Sequence, residues 1–292
     1  MPPPPSPRAT ARRLAASGRL RLAHAGIEAG EAAMDAELLA REALGGWDRA
    51  RFIAHEDEPA PEGAEAAFEA LLERRARREP VSQILGRREF WGLEFQVTRD
   101  VLTPRPETEL VVEEALACVR DHDGAPLEIA DVGTGSGCLA VALACELPHA
   151  RVLATDVSAA ALALARANAA RHGVADRIRC EQASLLGRAT GLALIVSNPP
   201  YIPTGDLAGL PPEVRAHEPA AALDGGPDGL DVIRGLLAAG RPALLPGGWL
   251  VFEFGDGQED LVRAAIRESS LELVRIRADL QGIPRTAVTR RG

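Results

Sequence analysis

The sequence predicts an α/β protein in which a mostly parallel sheet follows a small helical domain. Beyond residue 125, apolar strand-like runs alternate with helical stretches, the order expected of a parallel sheet with helices on both faces. Residues 1–80 instead have helical periodicity without strand-like alternation. A chain of 292 residues that is 46% hydrophobic is long enough for one large core and a smaller appended one.

Residues 1–80 are expected to form the helical domain. Apolar residues recur at helical spacing over 36–44 and 65–78. We expect the arginines at 74–78 on a solvated face, where they complement the helix dipole. Residues 1–27 contain prolines and arginines but no acidic residue, a composition shared with organellar transit peptides. Because helical sequence follows directly, we favour a frayed start before a first helix near 8–26.

The rest of the chain divides into a short connection, 81–105, and a second domain, 106–292. Aromatic residues and alternation over 90–97 predict a hairpin or an extended linker. Strands are expected near 127–132, 151–156, 177–181, 192–197, 248–254, 271–277 and 285–290. Helices are expected near 107–119, 137–146, 158–172, 229–240 and 257–269. The last two strands have no helix between them, which predicts an antiparallel hairpin that closes the sheet.

Composition limits the classes of partner. A net charge of −9 argues against duplex nucleic acid as the main substrate, because such proteins carry broad basic surfaces. No apolar stretch approaches the length of a membrane span. The cysteines are scattered and no histidine stands at metal-ligand spacing, so we expect reduced thiols, a cytoplasmic protein and no metal.

A glycine-rich turn follows the predicted strand 127–132. Its residues are Gly133, Thr134, Gly135, Ser136 and Gly137. Glycine permits a tight turn and lets backbone amides approach a ligand at a helix N-terminus. The dinucleotide-binding fingerprint requires a third glycine three residues after the second, and Cys138 stands there instead. The spacing therefore favours S-adenosylmethionine over a nicotinamide cofactor.

Asp156 ends the second predicted strand of the α/β region. An acidic residue about twenty positions after such a turn is placed to accept hydrogen bonds from ribose hydroxyls. The alternative is a helix cap, a role that Asp156 or Ser158 could fill. Together with the glycine turn, the ribose role is the preferred interpretation.

The most specific element is the tetrapeptide Asn198-Pro199-Pro200-Tyr201, which follows the apolar run 192–197. The Asn198 side-chain carbonyl and the Pro199 backbone carbonyl can accept both hydrogens of a planar substrate NH2 group. The prolines stiffen the turn, and the Tyr201 ring can stack on a planar amide or base. These contacts predict that the protein methylates a nitrogen atom. They favour this role for the tetrapeptide over that of an ordinary proline turn.

Further segments carry a resemblance to a known family. They are Pro80–Gly86, Phe90–Gly92, Val101–Glu109, Asp131–Gly137, Val196–Ile202, Glu218-Pro219, Ala222–Gly226, Asp228–Asp231 and Pro246–Trp249. With them the chain resembles the PrmC/HemK family, the N5-glutamine methyltransferases of peptide-chain release factors. The resemblance implies a Rossmann-like class I S-adenosylmethionine-dependent methyltransferase domain, with a seven-stranded, mostly parallel sheet, after a helical domain that engages the protein substrate. The implied reaction methylates the glutamine of the Gly-Gly-Gln motif in class I release factors.

The resemblance also implies roles for individual residues. Gly133 to Gly137 and Asp156 would hold the cofactor, and Asn198 would contact both the methyl donor and the glutamine amide. The glutamine site would be lined by Pro199, Pro200 and Tyr201, and catalysis would rest on Asn198, Pro199 and Tyr201. One departure concerns the adenine, where relatives usually have an acidic residue and this chain has Ser184. We expect a monomer with no membrane partner and no stable nucleic-acid partner.

Three other functions remain open at this stage. A sister family with the same tetrapeptide methylates a glutamine of a ribosomal protein, and the sequence chemistry does not separate the two. Methylation of an exocyclic amine in RNA or DNA also suits the tetrapeptide, although the acidic charge argues against it. A non-catalytic binding module is disfavoured because both the donor and the acceptor site are intact.

Overall fold

The structure, a computed structural model, describes residues 8–120 and 126–292. The proline run at 2–5, on which the frayed start was expected, therefore lies outside the described residues. The chain divides into two compact units, Met1–Gly86 and Arg87–Gly292. Within the described ranges, no helix has the length and apolar character needed to cross a bilayer.

The first unit is helical. Its helices are α1 Ala11–His24, α2 Ala29–Ala43, α3 Arg49–Ala54, α4 Ala64–Ala76 and α5 Val81–Leu85. The two short ones, α3 and α5, are not among the predicted helices because five or six residues give too little periodicity to recognise. Buried Leu22, Leu39 and Phe68 join the first, second and fourth helices in one core. At Gly18 a Cβ atom would lie 2.6 Å from the Phe68 ring, so α1 needs glycine there.

The expectation that the arginines at 74–78 lie on a solvated face is wrong for Arg75. Arg75 is 1% exposed and makes ion pairs with Asp35 at 2.6 Å and with Glu31 at 2.8 Å. A buried guanidinium requires such partners because desolvation of a lone charge is costly. Both carboxylates come from α2, more than thirty residues upstream, so the periodicity of α4 alone does not indicate the pairing.

The second unit contains a hairpin and a seven-stranded sheet. The strands are β1 Arg87–Phe90, β2 Leu93–Gln96, β3 Leu127–Val132, β4 Ala150–Asp156, β5 Ile178–Gln182, β6 Leu192–Ser197, β7 Leu244–Glu253, β8 Glu272–Ala278 and β9 Pro284–Arg290. The sheet order is β5-β4-β3-β6-β7-β9-β8. The strands β3 to β7 run parallel, and β9 is antiparallel to both of its neighbours. This confirms the predicted mostly parallel sheet and its closing hairpin.

Helices cover both faces of the sheet. They are α6 Glu109–Cys118, α7 Cys138–Glu146, α8 Ala159–Arg171, α9 Pro212–His217, α10 Asp231–Ala243 and α11 Glu259–Ser269. Leu194 and Val196 of β6 belong to the core that contains α6 and α7. Ile195 between them belongs to the core that contains α10 and α11. Alternate side chains of a strand point to opposite faces, which explains why β6 is apolar at every position from Leu192 to Val196.

The expected connection, 81–105, is divided between the two units. Ile84 of α5 is buried in the core of the first unit. Phe90 and Phe95 of the hairpin are buried in the core of the second, with their rings edge to face. The boundary after Gly86 therefore follows from which core each apolar side chain joins, and it lies beyond the expected residue 80.

Candidate active site

The order of the strands determines where a site can form. From β3 the chain continues to β4 and β5 on one side and then returns to β6 on the other. Ligands of open α/β sheets bind at the carboxyl ends of the strands at such a reversal. Val132 and Ser197, the last residues of β3 and β6, are register partners. The glycine turn and Asn198 therefore begin on neighbouring strands.

A cavity of about 530 Å³ opens at this edge of the sheet. Its walls come from the segments that follow β3, β4, β5 and β6, together with parts of 100–108 and 219–222. Its volume is within the range of small-molecule sites. Gly133, Thr134, Gly135, Ser136, Asp156 and Asn198 all line it, whereas Gly137 is not among the described residues that do. The cavity therefore brings together all but one of the residues predicted to bind the cofactor.

The backbone of the glycine turn has the conformation that glycine favours. The φ angles are 70° at Gly133, 54° at Gly135 and 82° at Gly137, values that other residues adopt with strain. At Gly137, which precedes α7, a Cβ atom would also lie 3.0 Å from Ala165 of α8. Gly137 therefore also allows a close contact between α7 and α8, and ligand binding by the turn stays a prediction.

Asp131 supports the turn from inside the protein. Its Oδ2 accepts hydrogen bonds from the Thr134 hydroxyl at 2.6 Å and from the Ala140 amide at 3.1 Å. Burial raises its pKa to about 7, although both hydrogen bonds favour the charged form. Sequence reasoning gave Asp131 no role, but an acidic residue within the apolar run at the end of β3 is the feature that could have indicated it.

Asp156 is tied to the same turn and lines the cavity. Its Oδ2 accepts a hydrogen bond from the Gly135 amide at 3.0 Å, and Oδ1 accepts one from the Ser158 amide at 2.8 Å. Ser158 caps α8, since its hydroxyl accepts from the Ala161 amide. Asp156 therefore orders the turn and the start of α8, and its ribose contact stays a prediction.

The nitrogen and the oxygen of the Asn198 side-chain amide differ in their hydrogen bonding. Its Nδ2 donates to the Thr108 hydroxyl at 2.9 Å. Its Oδ1 is buried and has no hydrogen-bond partner among the described residues. An unpaired buried acceptor costs about 1–3 kcal/mol, so this carbonyl is suited to accept a hydrogen bond from a ligand.

The other members of the tetrapeptide lie at different places. Pro199 and Pro200 line the cavity. Tyr201 is not among the described residues that line it, and its hydroxyl donates to Glu253 at 3.0 Å. The Tyr201 backbone carbonyl accepts from Gln258. Burial, followed by the nearby Glu253 carboxylate, raises the pKa of the phenol far above its usual 10. Stacking of its ring on a substrate amide stays a prediction.

Glu253 and Thr108 are functional candidates that sequence reasoning missed. Glu253 ends β7, is 1% exposed, and its Oε2 accepts from the Thr108 hydroxyl at 2.6 Å. Burial raises the pKa of Glu253 to about 7, while the bonds from Thr108 and Tyr201 favour the charged form. The sequence feature that could have indicated Glu253 is a single acidic residue at the carboxyl end of a buried strand.

An ion pair joins two of the segments that carried the family resemblance. Arg105 contacts the buried Glu218 at 2.6 Å, and the Thr103 amide also donates to Glu218. Burial raises the pKa of Glu218, and Arg105 opposes that rise. Pro104 and Pro219, next to the paired residues, both line the cavity. The pair therefore holds two walls of the cavity together.

Other chemistries have little support in this cavity. Cys138 lines it, but burial raises the pKa of the thiol to about 12, so a thiolate nucleophile is not available near neutral pH. Within 8–120 and 126–292, no group of three or more histidine, cysteine or acidic side chains could hold a metal. Ser184, which follows β5, also lines the cavity.

Comparisons with known proteins agree with this geometry. Residues 13–86 match a family model described as the PrmC N-terminal domain, and residues 115–208 match the methyltransferase small domain. A release factor glutamine methyltransferase of Geobacter sulfurreducens is 50% identical over 82% of this chain and 82% of its own length. The one from Cereibacter sphaeroides is 46% identical over 92% of this chain and 94% of its own.

Solved structures share the fold. A methyltransferase from Pyrococcus furiosus has a TM-score of 0.53 at 16% identity and covers 75% of this chain and 98% of its own. The hMettl16 catalytic domain, solved with an RNA hairpin, has a TM-score of 0.55 at 16% identity, over 75% of this chain and 81% of its own. At this level of identity the likeness concerns the fold alone.

Proposed function

The chain belongs to the release factor glutamine methyltransferases, and from this premise we propose its reaction. It transfers a methyl group from S-adenosylmethionine to the side-chain nitrogen, N5, of the glutamine in the Gly-Gly-Gln motif of class I release factors. The observation that carries the proposal is the unpaired Oδ1 of Asn198, beside a cavity whose other wall is the glycine turn.

The residues present fit the methyl donor. The positive φ angles of the glycine turn leave its backbone open to a ligand at the start of α7, and Asp156 lines the same cavity. Gly133 to Gly137 and Asp156 would hold the donor. When bound, S-adenosylmethionine supplies an electrophilic methyl group on a sulfonium. No metal is part of the proposal.

The chain's own residues supply position rather than acid or base chemistry. An amide nitrogen is a poor nucleophile, so orientation must supply much of the rate. Asn198 Oδ1 and the Pro199 carbonyl accept the two N–H bonds, which holds the amide plane and directs the nitrogen toward the donor. Acceptance of both hydrogens also stabilises the positive charge that develops on nitrogen. As the nitrogen–methyl bond forms, the sulfur–methyl bond of the donor would break and leave a neutral thioether, and the nitrogen then gives one proton to solvent.

Family membership favours a release factor over the alternatives. The Asn198 to Tyr201 chemistry is equally compatible with a ribosomal-protein glutamine or an exocyclic amine. The relatives that match across both units are release factor methyltransferases, and the net charge of −9 does not favour nucleic acid. We further propose that the protein acts in the cytoplasm, where its substrate works. We also propose that it is a monomer, and light scattering tests this oligomeric state.

Mass spectrometry of a purified class I release factor tests the reaction. The release factor is incubated with this protein and S-adenosylmethionine, and a matched release factor has the Gly-Gly-Gln glutamine replaced. We expect one added methyl on that glutamine and none on the control. Methylation of both proteins contradicts the proposal, because the methyl group would then lie on another residue of the release factor. Methylation of neither while the donor is bound also contradicts it and directs the search to ribosomal protein and then to RNA.

A further inference from the structure

The buried carboxylate of Glu253 has no part in the reaction as proposed, yet it is joined to the residue that does. Its two oxygens accept from different hydroxyls, Oε2 from Thr108 at 2.6 Å and Oε1 from Tyr201 at 3.0 Å. Thr108 in turn accepts from Asn198 Nδ2 at 2.9 Å. These residues form one chain of hydrogen bonds that ends at the substrate acceptor.

The charge of Glu253 fixes the direction of every hydrogen bond in that chain. An ionised carboxylate has no proton, so both hydroxyls must donate to it. Thr108 has a single hydroxyl proton, and after giving it to Glu253 its oxygen can only accept from Asn198. The only donor on the asparagine side chain is Nδ2. The amide must therefore place Nδ2 toward Thr108 and Oδ1 away from it.

We propose that Glu253 is a positioning residue. Through Thr108 it fixes the orientation of the Asn198 side-chain amide, with Nδ2 toward Thr108 and Oδ1 away from it. The inference rests on the proposed function, in which Oδ1 accepts from the substrate amide. If the asparagine amide were reversed, its NH2 group would face the NH2 group of the substrate. Two donors cannot bind one another, so the substrate nitrogen would lose its orientation. Tyr201 holds the second carboxylate oxygen and so keeps Glu253 from rotating.

Kinetics separate this role from a merely structural one. Thr108→Val preserves the shape but neither accepts from Asn198 nor donates to Glu253, whereas Thr108→Ser preserves both bonds. Glu253→Gln introduces a donor that can reverse the direction of the chain. Because supporting hydrogen bonds of this kind are worth about 10–100-fold, we expect such a loss of kcat in Thr108→Val and Glu253→Gln, with donor affinity preserved.

Controls make the outcome specific. Thr108→Ser should recover most of the lost rate. Thr289→Val, which removes another buried hydroxyl of the same sheet, should leave kcat within about twofold of the wild type, as expected for a site outside the reaction. Equal rates for Thr108→Val and Thr108→Ser would overturn the inference. Failure of the wild type to methylate release factor would overturn the proposed function instead.

A spectroscopic measurement reports the amide itself, because asparagine occurs only at positions 168 and 198. Labelling with side-chain ¹⁵N-asparagine therefore gives two NH2 signals. Asn168 is an internal control, since its Nδ2 donates to the carbonyls of Gln96 and Ser136. We expect Glu253→Gln to move the Asn198 signal and leave that of Asn168 in place. No movement, or movement of both signals, would overturn the inference.

Discussion

The glycine turn after β3 and the asparagine after β6 lie at the same edge of the sheet, but different contacts hold them. The turn is ordered by Asp131 and Asp156, whose partners lie between 3 and 21 residues away in sequence. Asn198 depends on Thr108, 90 residues away, which depends on Glu253, 145 residues further along the chain. The proposed donor end of the cavity, at the glycine turn, is therefore built by contacts that are short in sequence, and the proposed acceptor end, at Asn198, by contacts that are long in sequence.

This difference assigns separate tasks to the two ends. Backbone amides and glycine conformation form the donor end, so it should govern how tightly the cofactor binds. A single side-chain carbonyl forms the acceptor end, and its orientation depends on packing, so it should govern the rate of transfer. Changes on either side can test whether affinity and rate separate in this way.

The largest effect is expected from Asn198→Ala. The substitution removes Oδ1, so the substrate amide loses one of its two acceptors. We expect kcat to fall on the order of 10²–10³-fold, as for other preorganised hydrogen-bonding groups that stabilise a transition state. Single-turnover methylation of a release factor measures the rate, and circular dichroism checks the fold. A normal rate in a folded variant would refute the amide clamp.

Asp156→Ala should act on the other end. It removes the proposed ribose acceptor and the hydrogen bond to the Gly135 amide. We expect S-adenosylmethionine to bind about 10–100-fold more weakly, which corresponds to roughly 1.4–2.7 kcal/mol. Calorimetric titration gives this number directly. If donor affinity were unchanged, the ribose assignment would be wrong.

The activity of the wild type should depend on the ionisation of Glu253. Burial raises its pKa from an ordinary value of 4.5 to about 7, and only the ionised form must accept from both hydroxyls. We expect kcat to rise as pH passes through about 7 and Glu253→Gln to lose that rise. A pH profile of single-turnover rates checks this, and the same rise in Glu253→Gln would assign it to another group.

Stability should change with pH in the opposite sense. A carboxyl whose pKa is higher in the folded state favours folding fully below its unfolded pKa, and this contribution is lost as pH rises to the folded value. Glu253 and Asp131 both have folded pKa values of about 7. The free energy of unfolding should therefore decrease from about pH 4 to about pH 7 through these two groups. Urea titrations across this range measure it, with Glu253→Gln as the control.

The smallest effect is expected from Ser158→Ala. It removes the cap of α8 but leaves Asp156 and the glycine turn in place. Loss of a serine cap costs about 1 kcal/mol in the free energy of unfolding. Urea titration measures that loss. A decrease in donor affinity as large as that of Asp156→Ala would show that the helix cap, rather than the carboxylate at Asp156, governs binding.

The same contrast explains what the sequence could predict. Strand β6 is apolar from Leu192 to Val196 and Gly133 to Gly137 follow β3 directly, so the sheet, the turn and the tetrapeptide could each be recognised from neighbouring residues. The burial of Arg75 and the hydrogen bonds that link Asn198 to Thr108 and Thr108 to Glu253 could not. Each depends on a partner from a different element, and periodicity carries no information about such pairs. Tyr201 shows the same limit, because its hydroxyl bonds to a residue 52 positions away.

Single-turnover methylation at increasing S-adenosylmethionine concentration tests the separation of the two ends most directly. Wild type, Asp156→Ala and Asn198→Ala are compared on the same release factor. The predicted result is that Asp156→Ala approaches the wild-type rate once the donor is saturating, whereas Asn198→Ala stays slow at every concentration. If a high donor concentration rescued Asn198→Ala, or failed to rescue Asp156→Ala, the assignment of affinity to one end and rate to the other would be contradicted.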